Sequence, residues 1–237
     1  MTNANWIFLL ILIIAMFFSF KKDKLTRYGA ITGGVIGCFI YLGAGFTGIT
    51  MIGLFFLLGT IATAWKMDTK EKLGVAEKNK GRRTSNQVIA NGAVAGITGL
   101  LSYFFPGQRE LFQLMMAAAL ASATADTLSS ELGTVYGKGF FNMLSFQQDK
   151  RGENGVVSVE GILFGIVGTV LIAAVYAIGA GWNKQFYLIL VAGNLGNIAD
   201  SILGATLERK KYLKNDGVNF ISTLIAALTS LVLAIFF

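Results

Sequence analysis

Residues 117–133 read AAALASATADTLSSELG. The stretch begins as an alanine-rich helix former inside an apolar segment and ends on two acids, Asp126 and Glu131. An ionisable side chain inside a membrane segment costs several kcal/mol by the usual insertion scales, about 2.5–3.5 for Asp, unless it is paired or holds a cation. Ala118, Ser122, Asp126 and Ser130 recur every fourth residue. They therefore line one helix face with small and polar groups, the kind of seam that lets neighbouring helices approach closely. Two readings fit this stretch by itself: a helix-packing seam with a tolerated acid, or a metal or phosphate site at a membrane surface. The rest of the chain decides between them.

Of 237 residues, 54% are hydrophobic and only 14% charged, and the mean hydropathy is +0.62. That composition predicts an all-α, polytopic membrane helix bundle. Twenty-nine glycines against one proline, Pro106, suit close helix packing. The lone Cys38 excludes a disulfide framework and a cysteine metal site. With no histidine, the commonest general base and zinc ligand are both missing.

Eight apolar segments are legible, near 5–20, 28–44, 47–65, 88–105, 110–130, 157–181, 186–207 and 217–237. The first lacks the preceding positive charge and following small-residue site of a signal peptide. The loops 21–27, 66–87, 131–156 and 208–216 hold 18 of the 20 Lys and Arg; the alternate loops hold only Arg109 and Lys184. The positive-inside rule then predicts eight spans with both termini outside and the basic loops cytoplasmic. Residues 1–24 are read as an N-terminal span, and 25–237 as one membrane domain with cytoplasmic loops 66–87, 131–156 and 208–216. The expected setting is the prokaryotic plasma membrane, with the site facing the cytoplasm. The net charge of +7 is available there to anionic lipid or a soluble anion; no nucleic-acid partner is expected.

GAGFTG at 43–48 matches a G-x-G-x-x-G pattern, but no strand precedes it and it joins two apolar segments. It is not a dinucleotide site, and no Walker-type loop exists either. The segment KNKGRRTSNQVIANG at 78–92 places Lys78, Lys80, Arg82 and Arg83 just before a helix start that carries Asn86, Gln87 and Asn91. Free N–H groups and a positive dipole end there suit a polyanion. Gly-rich RGENGVVSVEG at 151–161 leads into the sixth span, with Glu160 expected about one turn inside. The seventh span ends in GNLGNIADSILGAT, 193–206, where Asn197 and Asp200 sit three apart. KNDGVNF at 214–220 predicts Asn215 and Asp216 as helix caps, with Asn219 just inside.

Asp126, Glu131, Glu160, Asp200 and Asp216 belong to four spans, yet the topology brings all five to one membrane face. Carboxylates, asparagines and a basic patch together suit Mg²⁺ and phosphates: hard oxygen ligands for the metal, cations for the remaining charge.

GRRTSNQVIANG, ATADTLSSELG, GENGVVSVEG, DSILGATLERK and NDGVNF occur in that order. They resemble the integral-membrane family typified by plant phytyl-phosphate kinase, over roughly residues 25–237. The resemblance implies a CTP-dependent kinase acting on a prenyl monophosphate. An acceptor phosphate is already an anionic nucleophile, so such a kinase needs cations and positioning more than a base. On this reading Asp126, Glu131 and Asp200 hold Mg²⁺, directly or through water. Lys80, Arg82 and Arg83 hold phosphates. Asn91, Asn154, Asn215 and Asn219, with Gly155 and Asp216, position nucleotide or acceptor. Two other classes compete. A transporter would use intramembrane acids, but nearer the midplane. An intramembrane prenyltransferase would carry an N-D-x-x-D motif, where NDGVN has Asn219 in place of the second acid.

Overall fold

A computed structural model of the chain describes residues 3–237. Among these residues it contains eight α-helices: α1 (Asn3–Lys21), α2 (Arg27–Ala64), α3 (Met67–Lys72), α4 (Ser85–Phe104), α5 (Arg109–Tyr136), α6 (Val159–Ala180), α7 (Lys184–Leu203) and α8 (Asn215–Phe236). Seven of them are long and apolar enough to cross a membrane; α3 is a single short turn and a half in a connection. The protein is an all-α polytopic membrane bundle.

The second and third apolar segments are fused into α2, whose 38 residues would exceed a bilayer core if straight. They are not straight. Gly45 breaks the helix at φ 56°, ψ −141°, a conformation that side chains disfavour. The chain folds back there: a Cβ on Gly48 would sit 3.1 Å from the Ile40 carbonyl oxygen. Gly29 and Gly59 both abut Arg83, although thirty residues of continuous helix would part them by about 45 Å. The two halves of α2 are thus separate passes, as the sequence pattern predicts.

Polar residues at the helix starts set the boundaries. Thr26 Oγ1 accepts the Gly29 N–H at 3.0 Å, and Ser158 Oγ accepts the Gly161 N–H at 3.1 Å. Thr84 and Gln87 form a reciprocal capping box at α4. α8 differs from expectation. Its N-cap is Lys214, without a side-chain bond, and Asn215 and Asp216 are its first two helical residues. Asp216 still favours the positive end of the helix dipole. Glu160 also lies earlier than expected: it is the second residue of α6, accepting the Lys138 N–H at 3.3 Å.

α5 is the axis of the bundle and touches α2, α4, α6, α7 and α8. Met116 through Ala121 are wholly buried because the alanines let five neighbours close in. α1 lies outside, with Phe8 stacked on Tyr41 of α2 at 3.8 Å and its aliphatic face open as a lipid-facing helix requires.

The basic connections gather at one end. Thr26 N donates to Arg83 O and Arg83 N to Lys24 O, each at 3.0 Å, joining the α1–α2 and α3–α4 connections. An antiparallel hairpin, β1 (Phe140–Asn142) paired with β2 (Val156–Ser158), covers the ends of α5 and α6. The opposite end holds the Gly45 break, Arg109 and Lys184.

Candidate functional site

Asp126 on α5 and Asp200 on α7 meet across the helix interface. Both are half-buried, and their carboxylates lie within hydrogen-bonding reach of each other. Ser222 of α8 donates its hydroxyl to Asp200 Oδ2 at 3.0 Å. The Asn219 amide, turned so that its nitrogen faces acceptors, donates to Asp200 Oδ2 at 3.3 Å and to the Asn215 carbonyl at 3.2 Å. Its oxygen then accepts from Asn91 Nδ2 of α4 at 3.3 Å, and the same Asn91 nitrogen donates to Gln87 O at 3.0 Å. One polar network therefore runs through α4, α5, α7 and α8.

The layer beneath explains why these helices can come so close. Ser122, Gly196 and Ala226 stand one helical turn from Asp126, Asp200 and Ser222 respectively, and a Cβ on Gly196 would collide with Ser122 Oγ and sit 2.8 Å from Ala226 Cβ. The Ser122 hydroxyl is fully buried and has no hydrogen-bond partner. An unpaired buried hydroxyl costs about 1–3 kcal/mol, so it marks a seam whose polar groups are not satisfied by protein alone.

Glu131 does not join this group. It stands five residues beyond Asp126, which on a helix is about 140° round the axis. There it faces α3, where Lys70 is wholly buried. Lys70 Nζ donates to Glu131 Oε2, to Ala62 O at 2.7 Å and to Thr63 O at 3.2 Å. Its three donors are used up, two of them on the final carbonyls of α2. Arg83 lies on the same side. Its guanidinium sits 5.1 Å from the centre of the Phe55 ring and against Gly59, whose Cβ position is 3.3 Å from Thr127 Cγ2. Burial pulls the Arg83 guanidinium below its ordinary pKa, and the charges of Glu131 and Glu77 push the other way. α5 thus separates two charged clusters on two of its faces.

The other expected site residues divide likewise. Arg82 pairs with Asp23 at 3.3 Å, donates Nε to Leu25 O at 3.3 Å and covers the Phe20 ring, so it fastens the α1–α2 connection. The side chain of Lys80 lies outside the described residues. Asn154 is exposed and offers its carbonyl to Arg209 Nε at 2.6 Å. Gly155, at φ 73°, lies against Gly204 and Ala205. Asn197 is buried and turned toward Gly165 of α6, away from Asp200.

Sequence reasoning missed Glu208, whose charge acts on both Asp126 and Asp200. Read as regular helix, Glu208 would stand about 80° away from Asp200. The π-helical turn Gly204–Glu208 inserts the equivalent of one extra residue and brings it nearly onto Asp200's face. Nothing in the sequence pattern signals that turn. Lys70 and Ser222 were also missed; only the burial of Lys70 and the depth of Ser222 single them out.

Among the described residues, no three His, Cys, Asp or Glu side chains converge closely enough to ligate one metal ion directly. The donor set still fits Mg²⁺, which keeps several waters and commonly takes one or two carboxylates plus substrate phosphates. Asp126 and Asp200 would hold it, with Ser222 and Asn219 orienting Asp200.

A family model described as integral membrane protein DUF92 matches residues 10–227. The chain belongs to this family of integral membrane proteins. It is 31% identical over 216 residues to Protein VTE6, chloroplastic, of Arabidopsis thaliana, covering 88% of the chain and 65% of that relative. An uncharacterized membrane protein of Synechocystis is 32% identical over 212 residues, covering 87% of the chain and 81% of the relative. One from Methanocaldococcus jannaschii is 28% identical over 224 residues, with 94% and 92% covered. No solved structure matches. The DUF92 match spans five ordered motifs, so the family read from those motifs and the family found by comparison coincide.

Proposed function

We propose that this DUF92 protein transfers the terminal phosphoryl group of a nucleoside triphosphate, CTP, to a membrane-embedded prenyl monophosphate. The motif resemblance supplies the reaction class. The observation that carries the reading is the Asp126–Asp200 pair, two carboxylates held face to face at the basic end of a membrane bundle. Like charges so placed repel, and a divalent cation removes that cost while drawing in nucleotide phosphates. When bound, Mg²⁺ would neutralise charge on the transferring phosphates.

The chain's own groups do the rest. Asn91 and Asn219 fix Asp200 from α4 and α8. Lys80, Arg82 and Arg83 precede α4 in the chain and add positive charge to this end of the bundle, Arg82 and Arg83 while also fastening the frame through Asp23 and Phe55. Asn154, Gly155, Asn215 and Asp216 border the same end. An oxygen of the prenyl phosphate attacks the γ-phosphorus, the bond to the β-bridging oxygen breaks, and the nucleoside diphosphate leaves. The attacking oxygen carries no proton to remove, which suits a site without histidine. We place Glu131 with Lys70 in the supporting frame. The prenyl tail lies among the spans, and the basic end faces the cytoplasm.

The test is a matrix of CTP, ATP, GTP and UTP against phytyl, geranylgeranyl and longer prenyl monophosphates, with purified protein and Mg²⁺. Prenyl diphosphate formed most rapidly with CTP is expected. No diphosphate from any pair contradicts the proposal.

A further inference from the structure

The hairpin and the π-turn meet where two glycines allow their backbones to touch. A Cβ on Gly204 would sit 2.9 Å from Gly155 N, and a Cβ on Gly155 would collide with Ala205. Beside this contact Arg209 forks: Nε donates to Asn154 O at 2.6 Å, and Nη2 donates to Asp149 Oδ2 at 2.7 Å. The planar guanidinium presents the two donors in a rigid, pre-organised fork, so both acceptors are held in one fixed geometry. Asp149 is itself fixed by the Lys150 N–H at 2.7 Å and by Asn142 Nδ2 at 3.4 Å. Arg209 is the residue directly after Glu208, so whatever holds Arg209 sets the π-turn and the direction of Glu208. Among the described residues, Glu208 has no ion-pair partner.

We infer that the β1–β2 hairpin braces the α7 π-turn, and that Arg209, clamped on Asp149 and Asn154, positions Glu208 as a third carboxylate toward the Asp126–Asp200 pair. Arg209 and Asp149 are positioning residues. Glu208 acts on the water shell of a divalent cation held by the pair, since the three carboxylates do not converge for direct ligation. The fully buried, unpartnered hydroxyl of Ser122 in the layer beneath is the independent sign that this seam is completed by something other than protein. The inference extends the cation site of the proposed function, but it requires neither the nucleotide nor the lipid named there.

The experiment is a Mn²⁺ titration of the full chain in nanodiscs, reading free Mn²⁺ by electron paramagnetic resonance, with no nucleotide or prenyl phosphate present. A protein with no kinase activity at all would still report its cation site. Glu208→Gln is expected to weaken Mn²⁺ binding about tenfold, the usual size of an outer-shell effect. Arg209→Ala and Asp149→Asn should weaken it in the same direction, the second variant keeping the side-chain shape should the first unfold. Placed in the Glu208→Gln background, neither should cause any further loss, because both act through Glu208. Loss of packing alone would add instead. Wild-type protein that binds no Mn²⁺, Glu208→Gln that binds as wild type, or clamp variants whose effects add in full would each overturn the inference.

Discussion

Two charged clusters flank α5 less than two turns apart, and they are built on opposite logic. Around Glu131 every charge is answered. Lys70 meets a carboxylate and two helix-end carbonyls, and the Arg83 guanidinium lies on an aromatic ring. Around Asp126 the charges are of one sign: Asp200 lies within hydrogen-bonding reach, and the carboxylates of Glu208 and, more weakly, Glu131 act on it as well. A buried pair that is complete fixes helices in place. A buried set of one sign is uncompensated until a proton or a bound cation completes it. On the proposed function, the first cluster is frame and the second is site.

The largest effect is expected on the frame side. Lys70→Met leaves Glu131 half-buried without its counter-charge and should cost about 3–5 kcal/mol, read as a lowered thermal unfolding temperature in detergent. Adding Glu131→Gln should return much of that loss. If the single variant unfolds like wild type, Lys70 and Glu131 are not a structural pair and the contrast between the clusters fails.

Gly196→Ala sharpens the comparison from the site side. The new methyl would strike Ser122 Oγ and Ala226, so about 1–3 kcal/mol of overpacking is expected. Ser122→Ala in the same background should relieve part of it, because the hydroxyl removed has no partner. Unfolding temperatures of the two single variants and the double variant give the answer. Additive losses would mean that the three helices are not stacked in this layer.

The smallest effect concerns the brace. The Lys150 N–H, ahead of the Arg209 guanidinium, holds Asp149 below the ordinary value of 3.8. A carboxylate lowered on folding lends stability that is fully present above its unfolded pKa and is lost as pH falls through the lowered value. Hairpin protection, read by limited proteolysis at 143–155, should therefore be flat down to the ordinary aspartate range and fall only below it. Protection that declines between pH 7 and 5 would assign the clamp to another group.

Much of the frame was legible in the chain. Helical passes follow from apolar length, and the single basic end follows from 18 of 20 Lys and Arg in alternate loops. The pairing of Asp126 with Asp200 was also readable, because each ends a span with small residues one turn away. Glu131 misled because distance along the chain resembles proximity, whereas helical phase sends the side chain to another face. Glu208 escaped because a π-turn changes that phase without a composition signal. Asn154 and Gly155 were expected to position nucleotide or acceptor; that Gly155 also lets the hairpin touch the π-turn was not legible, because the contact is between backbones. Arg82 and Arg83, adjacent in the chain, serve different neighbours because the short bridge to Lys24 and Thr26 turns them apart.

The central claim is that Asp126 and Asp200 are kept for a cation and not for packing. The most direct measurement compares Asp126→Asn, Asp200→Asn and Glu131→Gln for thermal unfolding and for Mg²⁺-dependent turnover in the same nanodisc preparation. Replacing one member of a like-charged pair removes repulsion, so both Asn variants should unfold at or above the wild-type temperature while turnover is abolished. Glu131→Gln should show the reverse, a lowered unfolding temperature with turnover retained by the folded fraction. Asn variants that turn over normally across the Mg²⁺ range, or that lose activity only in step with stability, would contradict the account.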